Sequence, residues 1–182
     1  MDLPPLTLVL GGARSGKSAY AEFLIEGCAA NPVYLATAEA GDDEMATRIR
    51  AHRERRGSRW RTVEEPLALA AALAREAVPG NAVLVDCLTL WLSNLMALGR
   101  DIDAEAAVLL DALARLDAPV VLVSNQVGEG IVPANEPARR FRDHAGLLHQ
   151  DIAHLAGRVV LVTAGLPLVL KDGRTPRPAK LL

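Results

Sequence analysis

The chain has 182 residues, 51% of them hydrophobic and 23% charged, which are the proportions of one folded domain with an ordinary core. This balance excludes a disordered chain, and the net charge of −2 argues against a general nucleic-acid-binding protein. No apolar run reaches the roughly 20 residues that span a bilayer, and the amino terminus lacks the basic start of a signal peptide. Cys28 and Cys87 lie far apart without a C-x-x-C pattern, which indicates reduced, at least partly buried thiols. We therefore expect one cytoplasmic domain over residues 1–182.

Short runs of β-branched and leucine residues recur along the chain. They are almost continuously apolar, which predicts strands covered on both faces, as in a parallel sheet. In chain order the predicted strands are residues 6–10, 33–37, 82–86, 120–124, 159–163 and 166–170. Only Ala164 and Gly165 separate the last two, a connection too short for a crossover helix. The last strand is therefore predicted to pair antiparallel at the sheet edge.

Helical patterns lie between these strands. They cover residues 18–27, 43–56, 66–77, 88–98, 104–116 and 137–156. Asp42 is placed as the N-cap of the second helix, and Pro66 starts the third. The regular alternation of strand and helix predicts an α/β protein with a doubly wound, mostly parallel sheet.

The eight residues after the first predicted strand complete the phosphate-binding pattern G-x-x-x-x-G-K-[ST]. They are Gly11, Gly12, Ala13, Arg14, Ser15, Gly16, Lys17 and Ser18. Glycines let the backbone curl so that several N–H groups point into one concavity at a helix N-terminus. Lys17 is predicted to reach the β- and γ-phosphates of a nucleoside triphosphate, and the Ser18 hydroxyl to ligate Mg²⁺. The strand before this loop and the helix after it favour this interpretation over a chance glycine-rich turn.

A second Mg²⁺ ligand is expected to be an acid at the end of a later apolar strand, and Asp86 closes the run Ala-Val-Leu-Val-Asp. The alternative is that Asp86 merely ends a strand. Cys87 follows, where hydrolytic P-loop ATPases often carry a glutamate that orients water. The sequence therefore favours transfer of the phosphoryl or nucleotidyl group to an acceptor other than water.

An arginine-rich segment follows the second predicted strand. Residues 48–61 hold seven arginines and one acid, Glu54. On the predicted helix, Met45, Ile49 and His52 share one face, so His52 is expected to face inward. Neighbouring guanidinium groups disfavour protonation of the imidazole, which would leave a neutral nucleophile. The alternative from composition alone is a solvated basic helix with a half-buried histidine.

Taken together, these motifs resemble the bifunctional adenosylcobinamide kinase / adenosylcobinamide-phosphate guanylyltransferase family. The resemblance covers nearly the whole chain. It is carried by the phosphate-binding string and by residues 34–37, 41–45, 48–49, 52–53, 60–64, 86–89 and 123–133. Two positions depart from the family pattern. Ala38 stands where a hydroxyl residue can occur in the family, which a backbone contact would tolerate, and Gln126 stands where a glutamate is expected after Ser-Asn. The amide of Gln126 supplies no carboxylate at that position.

The resemblance implies two reactions. First, the γ-phosphate of GTP or ATP passes to the hydroxyl of the aminopropanol arm of adenosylcobinamide. Second, a histidine attacks the α-phosphate of GTP and releases pyrophosphate, and the corrinoid phosphate then displaces GMP to give adenosylcobinamide-GDP. The family also implies a RecA-like P-loop fold and a tendency to form homo-oligomers.

The family's functional residues can be carried onto this sequence. Residues 11–18 would bind the triphosphate, and His52 would be the covalent nucleophile. Glu64 and Asp86 would complete the GTP site. Further nucleotide contacts would come from Ala36, Thr37, Ala38, Arg53, Glu54, Arg55 and Arg56. We place the glycine-rich loop 124–133 near the corrinoid phosphate together with Arg139, Arg140 and Arg142, the alternative being a plain surface loop.

Two other functions stay open at this point. A single-function small-molecule kinase would use the same phosphate-binding loop without ever releasing pyrophosphate. A GTP-binding switch protein would bind the nucleotide without transferring any part of it, although the His-Arg and Asn-Gln-Val-Gly motifs argue against this.

Overall fold

A seven-stranded sheet organises the computed structural model, which describes residues 3–28, 30–38 and 56–173. The strands are β1 Leu6–Gly11, β2 Asn31–Ala36, β3 Arg61–Glu64, β4 Asn81–Asp86, β5 Val120–Asn125, β6 Arg158–Thr163 and β7 Leu166–Asp172. The helices of the described residues are α1 Lys17–Glu26, α2 Leu69–Glu76, α3 Leu88–Ala97, α4 Ile102–Leu113 and α5 Glu136–Leu155.

The strand order is β3-β2-β4-β5-β1-β6-β7, and every neighbouring pair is parallel except β6 and β7. The mostly parallel sheet and the antiparallel edge hairpin are therefore confirmed. Because the first six strands run the same way, their carboxyl ends meet at one edge of the sheet. That edge carries the loop after β1 as well as the ends of β2, β3 and β4.

The sheet is buried because its central strands are apolar on both faces, as a parallel sheet requires. On one face, Leu24 and Ile25 of α1 pack with Val9, Leu84 and Val121. On the other face, α2 to α5 cover the sheet and contribute the large buried side chains of α3, Trp91, Leu92 and Leu95. Full burial of one such side chain contributes about 1.5–3 kcal/mol. Helices thus lie on both faces, as predicted.

The structure corrects two details of the predicted elements. The strand β3 was not predicted because three of its four residues, Arg61, Thr62 and Glu64, are exposed, so this edge strand has no apolar run. The third helix begins at Leu69 and not at Pro66, because Ala68 has a non-helical ψ of 51°. The Glu65 carboxylate accepts hydrogen bonds from the backbone N–H groups of residues 67 and 68 in this turn. The predicted helix 43–56 lies outside the described residues except for its last residue.

Among the described helices, none has the length and apolar character needed to cross a membrane. Cys28 and Cys87 are not joined in a disulfide, and the first is half-buried and the second buried. The prediction of at least partly buried cysteines is confirmed.

Candidate nucleotide-binding site

The loop between β1 and α1 curls tightly at the carboxyl edge of the sheet. Arg14 and Gly16 have positive φ values of 56° and 96°, and the N–H of Ser15 donates to the carbonyl of Gly12 at 3.3 Å. The Lys17 side chain is only 9% exposed, and its Nζ donates to the same Gly12 carbonyl at 3.0 Å. The ammonium group therefore lies over the loop whose amides are expected to bind phosphate.

The turn of the β6–β7 hairpin packs against this loop. The N–H of Gly165 donates to the carbonyl of Ser15 at 2.9 Å. A Cβ added to Gly16 would lie 3.2 Å from the Gly165 Cα, and a Cβ added to Gly11 would lie 2.6 Å from the Val162 carbonyl oxygen. Close backbone approach thus requires glycine at position 11, and a positive φ together with a tight approach favours it at position 16.

Replacing Gly11 with alanine should lower the free energy of unfolding by about 1–3 kcal/mol, because the Val162 carbonyl belongs to a paired strand and cannot retreat freely. The matched control is Gly12→Ala, since a Cβ at Gly12 meets nothing within 4 Å. Urea denaturation of both variants measures the difference. Equal stability of the two variants would contradict the tight approach of β1 and β6.

Three acidic or small residues predicted for the site lie side by side at the strand ends. Ala36 of β2 is paired with Glu64 of β3 on one side and with Asp86 of β4 on the other. Burial first, and the Asp86 carboxylate second, raise the pKa of the Tyr34 phenol and of the Cys87 thiol. Both groups are therefore protonated at neutral pH, although Arg56 lowers the pKa of Tyr34 and Lys17 that of Cys87.

The carboxylate of Asp86 is suited to a hard cation. Its Oδ2 is buried and has no hydrogen-bond partner within the described part of the chain, which is costly unless a ligand takes that oxygen. Ser18 supplies a hydroxyl in the first turn of α1, and Mg²⁺ prefers such oxygen ligands. The described residues contain no cluster of three metal-ligating side chains, so phosphate oxygens and water would complete the coordination. These residues fit a nucleotide-bound Mg²⁺.

Thr37 follows β2 and is fully buried, and its hydroxyl faces the chain after Asp86. The Oγ1 atom donates to the Cys87 carbonyl at 2.7 Å and accepts from the Cys87 N–H at 2.8 Å. The Thr37 N–H donates to the Asp86 carbonyl at 3.2 Å. The peptide bond between Asp86 and Cys87 is cis. The Thr37 side chain, which was predicted to lie beside the nucleotide, thus hydrogen-bonds to the backbone at the end of the neighbouring strand. Ala36 and Ala38 are half-buried.

Arg56 is the one member of the predicted arginine contacts that the structure describes. Its guanidinium lies 3.3 Å from the centre of the Tyr34 ring, and its NH1 lies 3.7 Å from Glu22 Oε1 of α1. The side chain is buried, and its Nε and NH1 find no hydrogen-bond acceptor among the residues described. The predicted residues His52, Arg53, Glu54 and Arg55 lie outside the described residues.

The loop after β5 leaves the sheet beside the phosphate loop. The N–H of Gln126 donates to the Gly11 carbonyl at 3.0 Å, so the two loops are joined at their base. Further along, Ile131 is 99% exposed. The Arg139 guanidinium donates to the carbonyls of Pro133 and Ala134, which fastens the loop to α5. This arginine was predicted near the corrinoid phosphate, and its NH1 is engaged with the loop itself.

Buried polar contacts at the end of β5 were missed from the sequence. Ser124 Oγ lies 2.6 Å from Nε2 of His149 on α5, and the Asn125 side-chain amide donates to the Thr89 hydroxyl at 2.9 Å. The partners are 25 and 36 residues apart in sequence, so no local spacing could have paired them. Together they fix the strand end that precedes Gln126.

The buried His149 should make stability depend on pH. Burial lowers its pKa from 6.5 to about 4, so the folded protein keeps it neutral while the unfolded chain takes up a proton below its ordinary pKa. The contribution of His149 to the free energy of unfolding should therefore fall as the pH drops from about 6.5 to 4 and change no further below that, a loss on the order of 3 kcal/mol. His149→Gln should flatten this dependence in urea denaturation series, whereas His154→Gln, at an exposed position, should retain it. Identical pH profiles for wild type and His149→Gln would contradict the assignment.

Three features define a P-loop nucleoside-triphosphate-binding protein of the RecA-like class. They are a curled glycine-rich loop with a buried lysine, an acid at the end of β4, and the presence of one strand between β1 and β4 in the sheet. Solved structures share this fold. The flagellar accessory protein FlaH from Methanocaldococcus jannaschii matches with a TM-score of 0.51 and 11% identity, over 95% of this chain and 80% of that chain. An ATPase of a bacterial type III secretion system matches with a TM-score of 0.54 and 12% identity, over 88% of this chain and 51% of that chain. These likenesses concern the fold alone.

Comparison of sequences finds relatives of much higher identity than these solved structures have. The model of the family described as cobinamide kinase / cobinamide phosphate guanyltransferase matches residues 7–170. The bifunctional adenosylcobalamin biosynthesis protein CobP of Pseudomonas aeruginosa is 52% identical, over 90% of this chain and 96% of the relative. The corresponding protein CobU of Escherichia coli is 41% identical, over 91% and 99%. The chain belongs to the cobinamide kinase / cobinamide phosphate guanyltransferase family, which confirms the resemblance and makes it an enzyme of adenosylcobalamin biosynthesis that uses a nucleotide substrate.

Proposed function

We propose that the chain, as one domain, performs both reactions of its family at a single nucleotide site. In the first, the hydroxyl oxygen on the aminopropanol arm of adenosylcobinamide attacks the γ-phosphorus of GTP or ATP. The nucleoside diphosphate leaves, and the hydroxyl proton passes to solvent. The observation that carries this proposal is the meeting of the phosphate loop and Asp86 at one sheet edge, in a chain that matches the family over residues 7–170.

In the second reaction, an imidazole nitrogen of His52 attacks the α-phosphorus of GTP, and pyrophosphate leaves. A phosphate oxygen of adenosylcobinamide phosphate then attacks the same phosphorus, the P–N bond breaks and His52 is released. Splitting the transfer in this way replaces one difficult displacement by two easier ones. Support comes from the sequence, in which His52 is the only histidine before residue 144, and from the family match.

The phosphate loop, residues 11–18, holds the triphosphate through its backbone amides and Lys17. Ser18 and Asp86 are the residues that would hold Mg²⁺, which when bound neutralises charge on the phosphate oxygens. The buried, unpartnered Oδ2 of Asp86 supports this assignment.

Residues beside this loop recognise the rest of the nucleotide. We assign contacts to Ala36 and Ala38, to Thr37 through its backbone because its hydroxyl binds Cys87, and to Glu64. The arginine-rich segment supplies Arg53, Glu54, Arg55 and Arg56. Arg56, at the end of this segment, is buried against Tyr34. The Asp86 carboxylate helps to raise the pKa of Tyr34, which supports a position of Arg56 close to the proposed metal-binding carboxylate of Asp86.

We also propose that the enzyme is a homo-oligomer that works in the cytoplasm. The strand β7 lies at the sheet edge, and more than half of the surface of Leu166, Leu168, Val169 and Leu170 is exposed. An exposed apolar edge strand is a liability unless another chain covers it, which supports a contact between copies. The absence of a disulfide between Cys28 and Cys87 suits a reducing compartment.

Labelled GTP tests the two reactions separately. With adenosylcobinamide and Mg²⁺, label from the γ-position should enter the corrinoid first, and label from the α-position should follow with release of pyrophosphate. Incorporation of γ-label alone would reduce the proposal to a single-function kinase. Binding of GTP without any transfer would overturn it in favour of a switch protein.

A further inference from the structure

We infer that Thr37 is a positioning residue for Asp86, acting through the backbone that follows β4. The inference rests on the proposed role of Asp86 as a Mg²⁺ ligand. What it adds is the group that directs the carboxylate, a buried hydroxyl on a different strand.

The hydroxyl of Thr37 fixes the residue next to Asp86 from both sides. It accepts from the Cys87 N–H at 2.8 Å and donates to the Cys87 carbonyl at 2.7 Å. With the bond from the Thr37 N–H to the Asp86 carbonyl at 3.2 Å, three hydrogen bonds join the exit of β2 to the exit of β4. Thr37 is 0% exposed, so water does not compete for these groups.

The carboxylate of Asp86 is held from two directions. The Tyr34 hydroxyl hydrogen-bonds to it, which is one of the causes that raise the pKa of the phenol, and the backbone that carries the carboxylate is joined to Thr37. Its Oδ2 atom has no hydrogen-bond partner within residues 3–28, 30–38 and 56–173, which leaves that oxygen for a ligand. Outer groups that orient a metal ligand in this way are expected to affect the metal affinity.

Thr37 is itself anchored from α3. The side-chain amide of Asn94 donates to the Thr37 carbonyl at 2.9 Å and to the Pro66 carbonyl at 3.1 Å. Both hydrogens of that amide group are therefore used at the exits of β2 and β3. The chain Asn94–Thr37–Cys87 connects a packed helix to the strand end that carries the metal-binding carboxylate.

Thr37→Val tests the inference, because valine keeps the shape of threonine and removes the hydroxyl. The measurement is the affinity for GDP by isothermal titration calorimetry, with Mg²⁺ and with EDTA. The ratio of the two affinities reports how strongly the metal supports nucleotide binding. Thr37→Val should lower this ratio by about 10–100-fold, as loss of an outer-shell group does, by weakening the affinity with Mg²⁺ far more than the affinity in EDTA. Thr37→Ser, which keeps the hydroxyl, should have the wild-type ratio.

Two outcomes overturn the inference: a wild-type ratio in Thr37→Val, or an equal loss of affinity with and without Mg²⁺, which a merely structural role would give. Asp86→Asn separates this failure from that of the proposed function. If Asp86→Asn keeps the wild-type ratio, the metal role of Asp86 is wrong. If it lowers the ratio, Thr37→Val added to Asp86→Asn should lower it no further, because both act through one group.

A second variant decides the matter if Thr37→Val does not fold. Asn94→Ala removes the anchor of Thr37 and leaves its hydroxyl in place. The ratio should then fall by a smaller factor than in Asp86→Asn, with the affinity in EDTA unchanged. An unchanged ratio in folded Asn94→Ala would overturn the inference.

Discussion

Replacing His52 with alanine should lower the covalent labelling of the protein by α-labelled GTP by about 10³-fold or more. Transfer of the γ-phosphate to adenosylcobinamide should persist. The reason is that only the second reaction passes through a bond between the protein and GMP. The measurement is acid-labile label retained on denatured protein after incubation with α-labelled GTP and Mg²⁺. The kinase step is followed in parallel as phosphate transferred to the corrinoid.

The matched control is His154→Ala, an exposed histidine of α5 that has no part in the proposed chemistry. This variant should label like the wild type. Labelling that persists in His52→Ala would show that another residue is the nucleophile. Loss of both reactions in His52→Ala, in a protein that still binds GDP, would mean that His52 serves the kinase step as well.

Lys17→Ala should impair both reactions, each by about 10²–10³-fold in kcat, because a single phosphate-binding loop serves both. Lys17 is buried at the start of α1, and its Nζ contacts the Gly12 carbonyl at the base of the loop. Initial rates of γ-phosphate transfer and of pyrophosphate release measure the two steps.

Lys171→Ala is the matched control for charge. Its Nζ donates to the carbonyls of Ala153 and His154 at the end of α5, so its loss should affect stability and leave the relative rates of the two reactions unchanged. A Lys17→Ala variant that loses one reaction and retains the other would contradict the shared site.

Much of the fold could be predicted from the sequence because the strongest sequence patterns are local. The phosphate-binding string predicted the loop between β1 and α1 on its own, and continuous apolar runs predicted six of the seven strands. The edge strand β3 was missed because its residues Arg61, Thr62 and Glu64 face solvent. An edge strand needs no apolar run, so periodicity has nothing to detect.

The interior of the site was less predictable, because its contacts join residues that are distant in sequence. Thr37 and Cys87 are 50 residues apart, and only the pairing of β2 with β4 brings them together. The prediction could place Thr37 at a strand end near the nucleotide, but it could not show that the hydroxyl faces the neighbouring backbone. The pair of Ser124 and His149 was missed for the same reason.

The contact between Gly165 and Ser15 has a consequence for how the protein is made. The curled loop of residues 11–18 is synthesised early, yet the backbone group that supports it comes from the far end of the described chain. A nascent polypeptide lacking β6 has no neighbour on one side of β1 and nothing to hold the Ser15 carbonyl. We therefore expect the loop of residues 11–18 to reach its final conformation only after β6 and β7 have been synthesised.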